Sequence, residues 1–277
     1  MLDLVFNNFD LHQIAHSGQC FRMTHLYHEL YQVIAHNRVL HIEHLSNSSF
    51  RFYCSEEEFD YFWYDYFDLG SDYAQYIKSI PAKDVFLTKA AALASGVRIL
   101  QQDPWETLIS FIISQRKNIP AIQRSIELLC QQFGEEIDEG IYSFPSPESL
   151  SQASIEALNA CSLGYRSKYI SHTAKTIASG EVDLQALQGL EDAQLLESLC
   201  RLSGVGVKVA SCVMLFAYHR IAAFPIDVWI ARILQREYNN AFDTKQYTGF
   251  AGVIQQYMFY YAQHSEEYKK LHKWNDK

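Results

Sequence analysis

Two residues in this chain have types and surroundings suited to covalent chemistry. The first is Lys208, in LSGVGVKVASC at 202–212. Gly204 and Gly206, two apart, predict the end of one helix and a tight turn, and Lys208 falls among the first positions of the apolar helix that follows. The amino end of a helix carries positive partial charge, so a cation there costs about 0.3–1 kcal/mol where a carboxylate would help. Free lysine is almost wholly protonated at neutral pH, with about one molecule in 2,500 neutral. Burial and a positive helix end both favour the neutral form, so a position that is poor for stability is good for an amine nucleophile. The alternative is a lysine that snorkels to solvent or to phosphate. The second residue is Asp227, in FPIDVWIARIL, where it follows Pro225 and precedes an apolar helix that it can cap. A capping carboxylate is held in place. An amine near a held carboxylate suits reaction at a carbon that gains positive charge as its leaving group departs.

The glycine pair invites phosphate-loop readings, and both fail on spacing. A P-loop needs Gly-Lys-Ser/Thr, whereas this lysine stands two residues past Gly206 and is followed by Val209. A dinucleotide fingerprint needs a small residue where Val209 stands and a strand before the turn, where this sequence has a helix. What remains is a helix hairpin near 195–218 whose turn leaves N–H groups free to hold a backbone phosphate, or a glycine-rich connection with no ligand.

The elements that must position these residues fall into two parts. LYQVIAH, VLHIEHL and FRFYC, separated by Asn37-Arg38 and by Ser46-Asn47-Ser48-Ser49, alternate like strands of an antiparallel meander between about 20 and 54. EEEFDYFWYDYFDLGSDY follows, too aromatic to face solvent, and reads as packing material with a short helix near 72–79; its carboxylates read as a solvated face. After about 96 the period becomes helical. Asp103-Pro104-Trp105-Glu106 predicts an N-cap, a proline at the first position and a glutamate at the third, with Trp105, Leu108, Ile109, Ile112 and Ile113 on one face. Ile122 to Phe133, ended by Gly134, predicts a second helix, and Ser146-Pro147 starts a third. Later helices carry Tyr169, Ile170, Thr173 and Ile177, then Leu195, Leu196, Leu199 and Leu202, then the apolar run from about 207 to 218. The fold class is α+β: a β-rich part over 1–95 and a helical part over 96–277.

With 48% hydrophobic and 14% aromatic residues the 277-residue chain can bury a large core. Its amino terminus, interrupted by Asp3, Asn7, Asn8 and Asp10, does not read as a secretion signal, and no apolar run approaches the ~20 residues of a membrane span. Six scattered cysteines without a Cys-x-x-Cys pair suit free thiols in a reducing cytosol, so a cytoplasmic protein is expected. His25, His28, His41 and His44 fall on strands without a matching ligand set, and no metal or cofactor is expected. A net charge of −9 argues mildly against nucleic acid as a partner, but a local surface and backbone N–H groups can bind DNA without marking the composition.

Six segments in order, SGQCFR (17–22), GVRILQQDP (96–104), LGYRSKY (163–169), LSGVGVKVASC, PIDV (225–228) and GFAGVIQQYMF (249–259), resemble those of the helix-hairpin-helix DNA glycosylases. Lys208 narrows the resemblance to the 8-oxoguanine DNA glycosylase/lyase family. It implies a monomeric, metal-free, base-flipping enzyme acting on duplex DNA that contains 8-oxoguanine. Lys208 would attack the sugar C1′, expel the oxidised base and form a Schiff base from which β-elimination cuts the strand. Asp227 would stabilise the charged sugar. By the same resemblance the flipped base would lie between Cys212 and Phe259, with Gln255 on its Watson–Crick edge. The Gly18 carbonyl would accept from the N7–H that guanine lacks. Gly204 and Gly206 would grip phosphate, Tyr165 would act as a wedge, and Arg166 would read the estranged cytosine. Without the resemblance, Tyr165 reads as buried, Arg166 and Gln255 as surface, and Cys212 and Phe259 as helix core.

The chain departs from the family pattern at three positions. In SQRKNIP, Asn118 falls beside the position of the family's inserted asparagine, which ungapped matching gives to Arg116; Ala121 replaces a second cytosine-reading arginine of animal members; Trp229 stands where a phosphate-contacting histidine is common. Two alternatives remain: an alkylated-base glycosylase of the superfamily that uses water as nucleophile, and a non-catalytic hairpin module that only grips DNA. If the family reading holds, a four-partner duplex assay should show weaker preference for cytosine opposite the lesion than in an enzyme with both arginines. Equal or stronger discrimination would contradict that.

Overall fold

The computed structural model describes residues 1–46 and 48–268. The chain opens with β1 (Leu2–Val5) and a short α1 (Leu11–Ala15) capped by Asp10. Then come β2 (Met23–Tyr27), β3 (Leu30–Ala35), β4 (Arg38–Ser46) and β5 (Ser49–Phe52). All neighbours pair antiparallel in the order β1-β5-β4-β3-β2, with Leu30 opposite Glu43 and Ala35 opposite Arg38 in the central hairpin. Of the expected Ser46–Ser49 connection, Asn47 lies outside the described residues. The first strand has no counterpart in the meander expected from sequence. It pairs with β5 as an edge, where Asp3 accepts two 2.7 Å bonds from Arg51.

Strand alternation sends Tyr31, Val33, Leu40, Ile42, Phe50 and Phe52 to one buried face. The aromatic segment expected as packing material covers that face, and it does so as a helix. Ser55 caps α2 (Glu56–Glu58), which continues through a wider π turn, Phe59–Trp63, into α3 (Tyr64–Tyr66). Alternation was absent because the face that matters has helical period. Phe59, Trp63, Tyr66 and Phe67 point into the sheet; the carboxylates of Glu56 and Glu57 remain outside, as expected of a solvated face, whereas Glu58 is half-buried and accepts from the Trp63 indole at 3.0 Å. The short helix expected near 72–79 is α4 (Tyr73–Lys78), and α5 (Val85–Leu93), unannounced in the sequence, follows.

The helical body begins with α6 (Pro104–Ser114), where Asp103 accepts from the Glu106 amide at 2.7 Å and the five expected face residues are buried. Asn118 caps α7 (Ile119–Phe133), a small hairpin of β6 (Glu136–Asp138) and β7 (Ile141–Tyr142) follows, and Ser146 caps α8 (Pro147–Gln152). Next are α9 (Ile155–Ala160), α10 (Arg166–Ala178), α11 (Asp192–Cys200), α12 (Val207–Phe216), α13 (Val228–Tyr238) and α14 (Ala251–His264). No described helix is long and apolar enough to cross a membrane.

One aromatic cluster fills the space behind the sheet, and a larger aliphatic one fills the helical body. Polar side chains stitch the two together. The buried Arg98 guanidinium donates to the carbonyls of Asn7, Asn8 and Asp68 and lies 4.5 Å from the centre of the Tyr73 ring. Gln19 donates to the Arg98 carbonyl at 2.7 Å and accepts from the Leu100 amide at 2.8 Å; Gln102 in turn donates to the Gln19 carbonyl. The segment around Gly18 is thereby fastened to the chain leading into α6.

The α11–α12 connection explains why its glycines differ. Gly204 has φ +78°, and a Cβ there would sit 2.7 Å from the Tyr169 ring; Gly206 has φ −98° and open space around it. Gly204→Ala is therefore expected to cost about 1–3 kcal/mol. Gly206→Ala should cost about 1 kcal/mol or less. Urea unfolding of the two variants checks the order, which a reversal would refute.

Candidate active site

Two helices begin at one cavity. Leu202 and Val205 anchor the α11–α12 turn in the core, while Gln115 donates to the Gly204 carbonyl at 3.0 Å and Thr173 to the Ser203 carbonyl at 2.9 Å. Gly206 occupies the cap position of α12 and brings no side chain, so the first amides of that helix have no side-chain cap. Lys208, one residue into the helix, is half-buried, with Nζ 5.0 Å from the centre of the Phe111 ring. The thiol of Cys212 lies one turn further along the same helix and lines the same cavity. Burial pushes that thiol up, and the Lys208 charge works against the rise.

At the start of α13 the opposite electrostatics hold. Asp227 accepts from the Ile230 amide at 2.8 Å, the favourable arrangement for a carboxylate at an amino-terminal helix end. Burial nonetheless holds its carboxyl above the usual aspartate value, against the pull of the Ile230 amide and of Lys208. The two catalytic candidates thus face one space and interact through it.

That space is a cavity of about 520 Å3. It brings together Lys208, Asp227, Gly18, Cys212, Gln255 and Phe259, residues separated by as much as 241 positions in the chain. Gly18 has φ +73°, and a Cβ would lie 2.9 Å from Phe259 Cε1, so both the backbone conformation and the neighbouring ring demand glycine. Gln255 is buried at 3% exposure rather than on the surface, and its Nε2 donates to the Pro225 carbonyl at 3.1 Å. Cys212 is buried and Phe259 partly so.

Arg116 and Asn118 also line the cavity, in different ways. Arg116 is exposed with φ +54°, a conformation unusual for a residue with a side chain and often kept at functional sites. The Asn118 side-chain Oδ1 accepts from the Ala121 amide at 3.0 Å, so its side chain is engaged in capping α7. Tyr165, Arg166, Gly204 and Gly206 lie outside the cavity lining. Both residue-only expectations for the Tyr165 pair are reversed: Tyr165 is 51% exposed and Arg166 only 6%. Arg166 folds inward to donate to the carbonyls of Leu163 and Gln115, with its guanidinium carbon 4.4 Å from the centre of the Tyr165 ring. Tyr165 packs edge-on against Tyr169, the ring that closes over Gly204.

Several lining residues escaped the sequence reading. Phe111 and Phe216 stack at 5.5 Å behind Lys208, and nothing in their apolar helices singles them out. Lys117 lines the cavity while donating to Ser125 and to the Ser162 carbonyl. Gln256 lies beside Gln255 in the wall; two adjacent polar residues in the apolar stretch GFAGVIQQYMF were its visible signal. Among the described residues no three His, Cys, Asp or Glu side chains form a group that could hold a metal.

The α11–α12 hairpin, whose second helix opens without a side-chain cap, places the chain in the class of helix-hairpin-helix proteins, and Lys208 and Asp227 add the reactive groups at its cavity. Residues 1–108 match the family model for the N-terminal domain of 8-oxoguanine DNA glycosylase, and residues 109–250 match that of the HhH-GPD superfamily of base excision DNA repair proteins. The chain belongs to the 8-oxoguanine DNA glycosylase family within that superfamily. It is similar to a probable N-glycosylase/DNA lyase of Methanothermobacter thermautotrophicus, 31% identical over 72% of this chain and 73% of that one. An N-glycosylase/DNA lyase of Saccharomyces cerevisiae is 40% identical over 57% of this chain, and the match spans 46% of the yeast protein. The solved structure of Clostridium acetobutylicum 8-oxoguanine glycosylase/lyase, in complex with duplex DNA containing cytosine opposite 8-oxoG, superposes with a TM-score of 0.87. That pair is 33% identical, with 93% of this chain and 92% of the other covered.

Asp227 supplies a stability test that needs no substrate. Its carboxyl is raised, so ionisation costs the fold stability as pH climbs above the ordinary value of 3.8, and the cost vanishes below it. Asp227→Asn keeps the cap and removes the charge. Its melting temperature at pH 7 should equal or exceed that of the wild type, with any gain shrinking toward pH 4. A gain that grows on acidification would contradict this sign.

Proposed function

We propose that this chain is a bifunctional DNA glycosylase and abasic-site lyase that removes 8-oxoguanine from duplex DNA. The observation that carries the reading is the meeting of Lys208 and Asp227 in one cavity walled by Gly18, Cys212, Gln255 and Phe259. The cavity size falls within the range that encloses a small organic ligand, so a flipped purine fits the space.

In the proposed reaction the neutral Lys208 amine attacks C1′ of the flipped nucleotide. The C1′–N9 bond breaks, its electron pair leaves with the base, and the base takes up a proton. Opening the sugar ring then gives an iminium on Lys208 that acidifies the C2′ hydrogens. Loss of one of those protons expels the 3′ phosphate and cuts the strand. The Asp227 carboxylate, facing Lys208 and fixed by the Ile230 amide, stabilises positive charge at the sugar. The uncapped amides after Gly206 bind backbone phosphate, and exposed Tyr165 wedges the duplex. For Arg166 to read an estranged base, its bonds to Leu163 and Gln115 must be exchanged for bonds to DNA. We place the boundary of the β-rich part at residue 95, with the helical part from 96 onward, and propose a monomer as the acting form.

Borohydride reduction during incubation with an 8-oxoguanine duplex should trap the protein covalently. Lys208→Gln should abolish trapping and base release while retaining duplex binding. Trapping that survives the substitution would remove Lys208 from the reaction. Base release without trapping in the wild type would favour a water nucleophile.

A further inference from the structure

Gln255 and Gln256 are adjacent, each 3% exposed, and both line the cavity. Their amides form a chain whose direction follows from its far end. The Pro225 carbonyl can only accept, so the Gln255 group facing it must be Nε2, at 3.1 Å. That turns Gln255 Oε1 toward Gln256, and the Gln256 group that meets it must be Nε2, at 3.0 Å. The chain ends there. Gln256 Oε1 is buried and has no hydrogen-bond partner. An unpaired buried acceptor costs about 1–3 kcal/mol, so stability alone gives no reason for Gln256 at this place.

We propose that Gln256 is a specificity-determining positioning residue: it donates to Gln255 Oε1 and so reinforces the amide direction that the Pro225 carbonyl sets, holding one end of Gln255 toward a base in the cavity. This inference rests on the proposed base-excision reading. With Oε1 held by one donor, its second lone pair remains for a base edge that donates at N1 and at the 2-amino group, as 8-oxoguanine does. An edge with an N1 acceptor, as in 8-oxoadenine, would require the amide to turn over. That reversal sets Oε1 against the Pro225 carbonyl, and it keeps the Gln256 bond only if that amide turns as well and buries its two Nε2 hydrogens where the unpartnered Oε1 now sits. The distinction is needed because both 8-oxopurines carry an N7–H, so a carbonyl at Gly18 cannot tell them apart. Pro225 stands two residues before Asp227, so the relay also ties base reading to the chain that enters α13.

The test compares single-turnover excision of 8-oxoguanine and of 8-oxoadenine, opposite the same base, by wild type, Gln256→Met and Gln256→Glu. Each rate is divided by the same protein's cleavage of a preformed abasic site, where no base is read, so that a general folding defect cancels. Gln256→Met keeps the volume and loses the donor; the 8-oxoguanine to 8-oxoadenine ratio should fall about fivefold, the worth of one hydrogen bond. Gln256→Glu sets two acceptors face to face and should lower the ratio further. A ratio within twofold of wild type in both variants overturns the relay and leaves the proposed function standing. A wild type that cleaves abasic sites yet releases no 8-oxoguanine overturns both.

Discussion

Everything at this site depends on where two helices begin. Helix amino termini present unpaired N–H groups and positive partial charge, and α12 and α13 both open toward the same cavity. At α13 the requirement is met by Asp227, which accepts from the Ile230 amide. At α12 it is left unmet by side chains: the cap is a glycine and the second helical residue is a lysine. One helix start is satisfied and holds a carboxylate still; the other remains open to an external anion and sets an amine beside it.

The cavity is closed from a distance. Gly18 belongs to the amino-terminal part, yet it forms a wall against Phe259 of α14 because Gln19 bonds to the backbone of Arg98 and Leu100. Arg98 in turn gathers the carbonyls of Asn7, Asn8 and Asp68, so one buried guanidinium holds the sheet part to the helical part. A pocket wall built across two hydrophobic clusters needs such directional bonds, since apolar packing alone would tolerate small slips. The fit is close enough that even a Cβ added at Gly18 would lie 2.9 Å from the Phe259 ring.

Several features run against stability and share one region of the molecule. Arg116 holds a left-handed backbone, burial opposes the charge of Asp227, and Gln256 ends in an unpaired acceptor. Conflict between local preference and global fold concentrates at functional sites. Here the conflicts line one cavity.

Local signals in the sequence were enough for the capped starts of α6, α8 and α13, the meander of β3 to β5 and the hairpin glycines. Each is decided within about four residues, by a cap, an alternation or a turn. The edge strand β1, the helical run through Phe59–Trp63 and α5 were missed, because their identity depends on which distant surface they cover. The same holds for single side chains. The Leu163 carbonyl is a local partner for Arg166, but its other acceptor, the carbonyl of Gln115, lies 51 residues earlier and cannot be read from LGYRSKY. Nor does the neighbourhood of Gln255 give its orientation, which comes from a carbonyl 30 residues away. The sequence by itself determined the reactive groups and the helix starts that carry them. Only the tertiary structure decided which of those groups meet and which way each amide points, because contact order and hydrogen-bond direction are properties of the folded space between segments.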